Sequence, residues 1–356
     1  MELTPIKPGT FLNKIKIEKK ELCLSQDRIR VLVPARVHLS VIDMNYFSPG
    51  QPGGGGVGYA VRLYAEVEIS LLDKKDYNIQ AKREGVVRHI AHILAKSVGY
   101  QGGFEIKAKD HNINHMGLGS TSALITAVAC GINKLLGEPL ESRSLRKIIG
   151  YNFAEDAENG LVVPGFETGV GPAAGIHGGF VLLTDGLELV ARCPLERCVV
   201  YLAFLKEDVA EEKGGEITQS KNAGELEAEL LLNKAREFDK RDAHKKTHQI
   251  LFKLLPSMMN NDLEGMGEAV WNLQHLGSKV AEIEHHTNPE KIYEVMRECR
   301  KRGASIVGMS SVGPAITIVC REKKEIKASV EGYLNKEEVR YIKTGVDNQG
   351  IKVEKI

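Results

Sequence analysis

Apolar and polar positions alternate through residues 29–43, IRVLVPARVHLSVID, and again through 57–72, VGYAVRLYAEVEISLL. Alternation of this kind predicts strands, and the turn-forming stretch SPGQPGGGG at 48–56 predicts a long glycine loop between them. The spacing then changes to three and four. Val87, Ile90, Ala91, Leu94 and Ala95 share one face of a helix over 83–98, with Gly99 just beyond it. A short strand at 104–108 leads to a second helix. There Leu124, Ile125, Val128, Ala129, Ile132, Leu135 and Leu136 repeat at helical spacing until Gly137. A helix over 142–157, the glycine-rich stretch PGFETGVGPAAGIHGG and a strand FVLLT at 180–184 complete a first unit.

The pattern changes near Pro194. A strand at 197–205 is followed by long helical segments at 222–238, 242–260, 262–285 and 289–302. The last is bounded by Asn288 as N-cap, Pro289 in the first turn and Gly303 as stop. After it, SIVGMSSVGPAITIVC and segments near 338–344 and 351–355 again have strand character. Strands flanked by helices predict an α+β architecture. The divisions expected are an extension over 1–28, an N-terminal domain over 29–196 and a C-terminal domain over 197–356.

With 356 residues the chain has room for two cores. Its 48 Lys and Arg nearly balance 47 Asp and Glu, so no net field favours nucleic acid or an anionic membrane. A small metabolite is the expected partner. No apolar run reaches the roughly 20 residues of a membrane helix, and a cytoplasmic protein is expected. Cys23, Cys130, Cys193, Cys198, Cys299 and Cys320 show no paired spacing, which predicts reduced thiols rather than a zinc site or a disulfide framework.

The chemistry concentrates in NHMGLGSTSA at 114–123. Gly117 and Gly119 allow close backbone approach, while Ser120, Thr121 and Ser122 bring hydroxyls to the unpaired N–H groups of the helix that follows. A helix N-terminus of this composition suits a phosphate or diphosphate. The plain alternative is a tight turn with a serine cap. No lysine follows the second glycine, so it is not a Walker loop.

Three blocks in order, PARVHL at 34–39, GLGSTSA at 117–123 and VGMSSVGPAI at 307–316, resemble the signature blocks of the GHMP kinase superfamily. The resemblance implies a two-domain GHMP-kinase-like sandwich with a left-handed βαβ crossover. Within the superfamily the chain is similar to the β-ribofuranosylaminobenzene 5′-phosphate synthases of methanopterin biosynthesis and to related enzymes that form C-nucleosides. VPARVHLSVIDMN with GGGGVGYAV, GVGPAAGIHGGFVLLTDG, LFKLLPSMMNNDLEGMGEAVWNLQHLG and VGMSSVGPAITIV carry that likeness.

That resemblance implies transfer of a phosphoribosyl group from phosphoribosyl diphosphate to a ring carbon of 4-aminobenzoate, 4-hydroxybenzoate or an azole acid, with diphosphate and CO2 released. It also implies a homodimer. Mg²⁺ is the natural companion of a diphosphate leaving group. Strand alternation puts Arg36, His38 and Ser40 on one face, either lining the cleft or facing solvent. Asp43, in SVIDMN, is the candidate catalytic or Mg²⁺-organising carboxylate, with a turn cap as the alternative. Glu167 and His177 flank a glycine-rich stretch containing Gly169 and Gly171; either is a candidate for orienting the acceptor, and His177 for accepting a proton, with a structural role as the alternative. Ser310 and Ser311 form a candidate phosphate-facing turn, and Lys213 a candidate 5′-phosphate contact. The continuation Ser120-Thr121-Ser122-Ala123 is closer to the kinases, so an ATP-dependent kinase stands as the alternative enzyme and a non-catalytic phosphate-ligand sensor as a third reading.

Overall fold

The computed structural model describes residues 4–211, 217–219 and 225–356. In the N-terminal unit the elements are β1 (Ile29–Val41), β2 (Gly56–Leu72), β3 (Tyr77–Ala81), α1 (Glu84–Val98), β4 (Gly103–Lys109), α2 (Ser120–Leu135), α3 (Ser142–Tyr151), β5 (Ala154–Asp156), β6 (Val162–Pro164), α4 (Val170–His177), β7 (Phe180–Leu183) and β8 (Leu189–Cys193). β1 and β2 pair antiparallel, with register shifts between Pro34 and Ala35 and between His38 and Ser40. Proline lacks the N–H that a ladder needs, which accounts for the first irregularity. β3 runs parallel to β4, and α1 connects them as a βαβ unit. The expected helix over 142–157 stops at Tyr151. Asn152 bonds through its amide to Ile148 O and to Leu12 N, and the chain turns into β5.

The C-terminal unit comprises β9 (Cys198–Phe204), β10 (Val209–Glu211), β11 (Ile217–Gln219), α5 (Glu225–Gln249), α6 (Leu255–Met259), α7 (Leu263–Leu273), α8 (Ser278–Glu284), α9 (Pro289–Lys301), β12 (Ile306–Met309), β13 (Ile316–Arg321), α10 (Lys324–Lys336), β14 (Arg340–Gly345) and β15 (Lys352–Lys355). Its antiparallel sheet has the order β12-β13-β9-β14. β15 leaves this unit and pairs with β1, so the last strand of the 197–356 segment completes the N-terminal sheet.

Three of the expected helices are organised differently. The segments 222–238 and 242–260 are not separated at the polar residues between them, because α5 runs unbroken from Glu225 to Gln249. The segment 262–285 is instead divided into α7 and α8. At the break Gly277 has φ +57 and ψ −137, a conformation open only to glycine, and its N–H donates to Asp242.

One core lies between the N-terminal sheet and α1, α2 and α3. Ile6, Phe11, Ile15, Ile17 and Leu22 pack onto it, so the N-terminal extension is a strap along this unit. A second core is shared by the two units: Val37, Leu39 and Tyr59 meet Val200, Leu202 and Val270. That shared core fixes the C-terminal helices over the end of β1 and the start of α2.

Candidate active site

The loop before α2 is held open by two glycines in the left-handed region, Gly117 at φ +77 and Gly119 at φ +68. A Cβ on Gly117 would lie 2.2 Å from Ser310 O, so only glycine permits the close approach of the 310–313 turn. Ser310 is fully buried and stitches three segments together: its hydroxyl donates to Gly117 O at 2.6 Å and accepts from His38 N at 3.0 Å. Ser311 N donates to His38 O, and Ser311 O accepts from Lys279 Nζ at 2.7 Å. Arg36 donates to Gly117 O at 2.6 Å. The sequence blocks at 34–39, 117–123 and 307–316 therefore meet at one point.

Ser120, Thr121 and Ser122 are buried in the first turn of α2. Ser122 donates to Glu167 at 3.1 Å, and Glu167 also accepts from Gly169 N at 2.7 Å. Gly171 is required here, since a Cβ on it would sit 2.0 Å from the Ser122 hydroxyl. Burial pushes the Glu167 carboxyl up from its ordinary value, against the Arg36 guanidinium, the Gly169 N–H and the Ser122 hydroxyl, which favour the ionised form. His38 bonds to Thr168 Oγ1 at 3.1 Å. Burial, reinforced by Arg36, Lys279 and Lys246, holds its imidazole well below the ordinary histidine value, so it is neutral at neutral pH.

These groups line one end of a cavity of about 510 Å³ between the two units. Arg36, His38, Gly119, Thr121, Ser122 and Glu167 face it directly. Ser40 does not; beyond the register shift after His38 its hydroxyl turns back to Val41 O at 2.8 Å. Asp43 caps the turn Met44–Tyr46, accepting from Asn45 N at 2.9 Å and Asn45 Nδ2 at 2.8 Å, while Met44 and Phe47 on either side of that turn line the cavity. His177 ends α4 on the far side from Glu167 and is not brought to the cavity. Burial, Arg146 and Arg192 lower its imidazole, and its buried Nε2 has no partner among the described residues. Lys213 lies outside the described residues.

Residues 85–170 match the family model described as GHMP kinases N terminal domain. The structure overlays that of a homoserine kinase from Cytophaga hutchinsonii with a TM-score of 0.60 at 18% identity, covering 94% of this chain and 100% of the other. It also overlays mevalonate diphosphate decarboxylase from Staphylococcus aureus with a TM-score of 0.62 at 14% identity, covering 92% and 98%. The fold is that of the GHMP kinases, and residues 85–170 carry the match to their N-terminal domain. Among curated relatives, a beta-ribofuranosylphenol 5'-phosphate synthase from Archaeoglobus fulgidus is 29% identical over 92% of this chain and 99% of its own length. Another, from Methanothermobacter thermautotrophicus, is 26% identical over 82% and 88%.

Two parts of the cavity were not legible in the sequence. Arg83, at the head of α1, pairs with Glu155 at 2.6 Å and Asp156 at 3.1 Å and donates to the Ser120 and Thr121 hydroxyls. Thr121 in turn donates to Glu155 at 2.7 Å. No sequence motif links an arginine before one helix to an acid on a three-residue strand; only the fold brings them together. Below the 310–313 turn, Lys279 and Glu282 form a buried pair. Burial lowers the Lys279 ammonium and raises the Glu282 carboxyl, and each partner opposes the other's shift. Their spacing of three on a helix was the available signal, hidden in a segment otherwise patterned as core.

Proposed function

We propose that the protein is a decarboxylating phosphoribosyltransferase that joins the anomeric carbon of phosphoribosyl diphosphate to a ring carbon of an aromatic acid. The observation that carries this reading is the likeness to the curated synthases across nearly the whole chain, in a molecule whose anion cradle opens onto an apolar slot. Those relatives are named for a ribofuranosylphenol 5′-phosphate, which favours 4-hydroxybenzoate over 4-aminobenzoate as acceptor.

The ring carbon bearing the carboxylate attacks the anomeric carbon, and the bond to diphosphate breaks with its electron pair leaving on oxygen. Loss of CO2 then returns the C–C electrons to the ring, so no ring proton has to be removed. In this mechanism the N-terminus of α2 and the Arg36 guanidinium hold the leaving diphosphate in the cradle that Gly117, Gly119 and Ser310 shape. Two carboxylates, Glu155 and Glu167, border the same cradle beside Thr121 and Ser122. Acids next to a diphosphate call for a cation, and this donor set fits Mg²⁺, which takes one or two carboxylates together with phosphate oxygens. When bound, Mg²⁺ neutralises charge building on the leaving group. His38, neutral and bonded to Thr168, lines the cavity without adding charge. Asp43 acts through the turn that it caps, positioning Met44 and Phe47.

The test is turnover of phosphoribosyl diphosphate and carboxyl-labelled 4-hydroxybenzoate with Mg²⁺, with labelled CO2 as the expected product. Failure to release it from any aromatic or azole acid, together with a thermal midpoint raised by ATP and not by phosphoribosyl diphosphate, overturns this reading in favour of a kinase.

A further inference from the structure

Phosphoribosyl diphosphate has no large apolar face, yet the end of the cavity away from α2 is walled by Met44, Phe47, Phe166, Leu231, Leu232 and Ala235. The Phe47 and Phe166 rings meet edge to face, with centroids 5.5 Å apart and planes at 74°. Phe47 is buried, but Phe166 remains 44% exposed at the cavity. The opposite wall comes from α5, whose Ala235 packs with Val41, Met44 and Phe47 in a small apolar cluster at the junction of the two units.

This slot is held in shape without a ligand. Asp239 accepts from Met44 N at 2.7 Å, and Arg236 donates to Met44 O at 3.2 Å and to Phe47 O at 3.0 Å. Asn45 Nδ2 returns a bond to Arg236 O at 3.2 Å. These bonds clasp α5 to the turn that carries Met44 and Phe47, so little ordering is left for binding to drive.

We propose that this slot seats the ring of the acceptor acid, and that Phe166 is its specificity-determining contact. The proposal rests on the phosphoribosyl-transfer reading. A flat ring entering beside Phe166 completes the aromatic packing that Phe47 supplies on one side only, and it lies in the same cavity as the diphosphate cradle. The aliphatic side chains of α5 close over its other face and exclude water.

The experiment compares the full chain with Phe166→Ala, Phe166→Leu and Phe166→Tyr, in initial rates and in calorimetric binding of 4-hydroxybenzoate. Phe166→Ala is expected to raise the KM for the acid and weaken its binding by about tenfold, while the KM for phosphoribosyl diphosphate changes by less than about twofold. Phe166→Leu should fall between, and Phe166→Tyr should restore the wild-type values. An unchanged acceptor KM, or an equal rise in both KM values, overturns the seat while leaving the reaction in place. If the wild type releases no CO2, the reaction fails by itself, and calorimetry then decides the seat. Binding of the acid that Phe166→Ala weakens upholds it. Absence of binding, or adenosine binding weakened in its place, overturns it.

Discussion

The two ends of the cavity are built on opposite plans. At the polar end the side chains are already engaged with the protein: Ser310 with Gly117 and His38, Ser122 with Glu167, Thr121 with Glu155, and Lys279 with Glu282 and Ser311. At the apolar end Phe166 stands 44% exposed. An anion cradle gains from being organised before the charge arrives, since fixed donors need no rearrangement during reaction. An apolar slot gains from leaving surface to be covered, because that surface is the binding energy of the ring. Substitutions at the polar end should therefore damage the fold as well as activity, whereas those at the apolar end should damage recognition alone.

The largest effect is expected from Lys279→Met. It leaves Glu282 as a buried carboxylate without its cation and removes the donor to Ser311 O. Breaking a buried pair from one side costs about 3–5 kcal/mol, so the urea midpoint should fall steeply. Adding Glu282→Leu should recover a substantial part of the loss, and a double variant no more stable than the single one would refute the pairing argument. Gly117→Ala comes next. Its Cβ would lie 2.2 Å from Ser310 O at a backbone φ of +77, and strain plus displacement should cost about 3 kcal/mol. Because the 310–313 turn must move, the KM for the phosphorylated donor should rise along with the loss of stability. Phe166→Ala provides the contrast: with its ring already half in water, it should cost about 1 kcal/mol or less in urea unfolding. A stability loss there as large as at Gly117 would erase the distinction between the two ends.

The polar end was legible in outline because its determinants are local. Two glycines, three hydroxyl residues and the onset of a 3.6-residue period are consecutive in 117–123, and each block that closes around them is itself a short run. The apolar end was not, because its wall is assembled from 44–47, 163–166 and the α5 positions 231–235, none of which is distinctive alone. Asp239 and Asp242 show the same limit in a different way. In the sequence Asp239 falls in a polar gap between two expected helices and Asp242 opens the second, yet both lie inside α5, fully or nearly buried. There Asp239 pairs with Lys246 at 2.6 Å and accepts from Ser278 N, while Asp242 accepts from Gly277 N. The acids that seemed to break one helix are the caps that start another. Hydrophobic periodicity cannot reveal this, because the buried face of α5 is partly ionic there. Asp43 was singled out as an acid in a family-like block, but its geometry is fixed by the turn it caps, which only coordinates show.

An effect comparable in size to that of Phe166→Ala should be one of pH, and it too separates the two ends. His111, just before the 117–123 loop, has its imidazole held down at about 4, first by burial and also by Arg36 and Arg83, with Asp110 opposing. Its Nδ1 accepts from Ile113 N at 3.3 Å, a bond that the neutral ring can make and the doubly protonated ring cannot. In the unfolded chain the ring takes up a proton near 6.5, the ordinary histidine value, while the folded protein refuses it until about 4. The unfolded state thus binds more protons between those values, and stability must fall as pH drops through the window. At pH 5.5 the loss from this one residue amounts to about 1 kcal/mol, read as a lower urea midpoint than at pH 7.5. His111→Gln should flatten that difference, leaving the part due to His38 and other buried histidines, whereas Phe166→Ala should keep the full wild-type slope. If His111→Gln were as acid-sensitive as the parent, the ring would not be the group that refuses the proton.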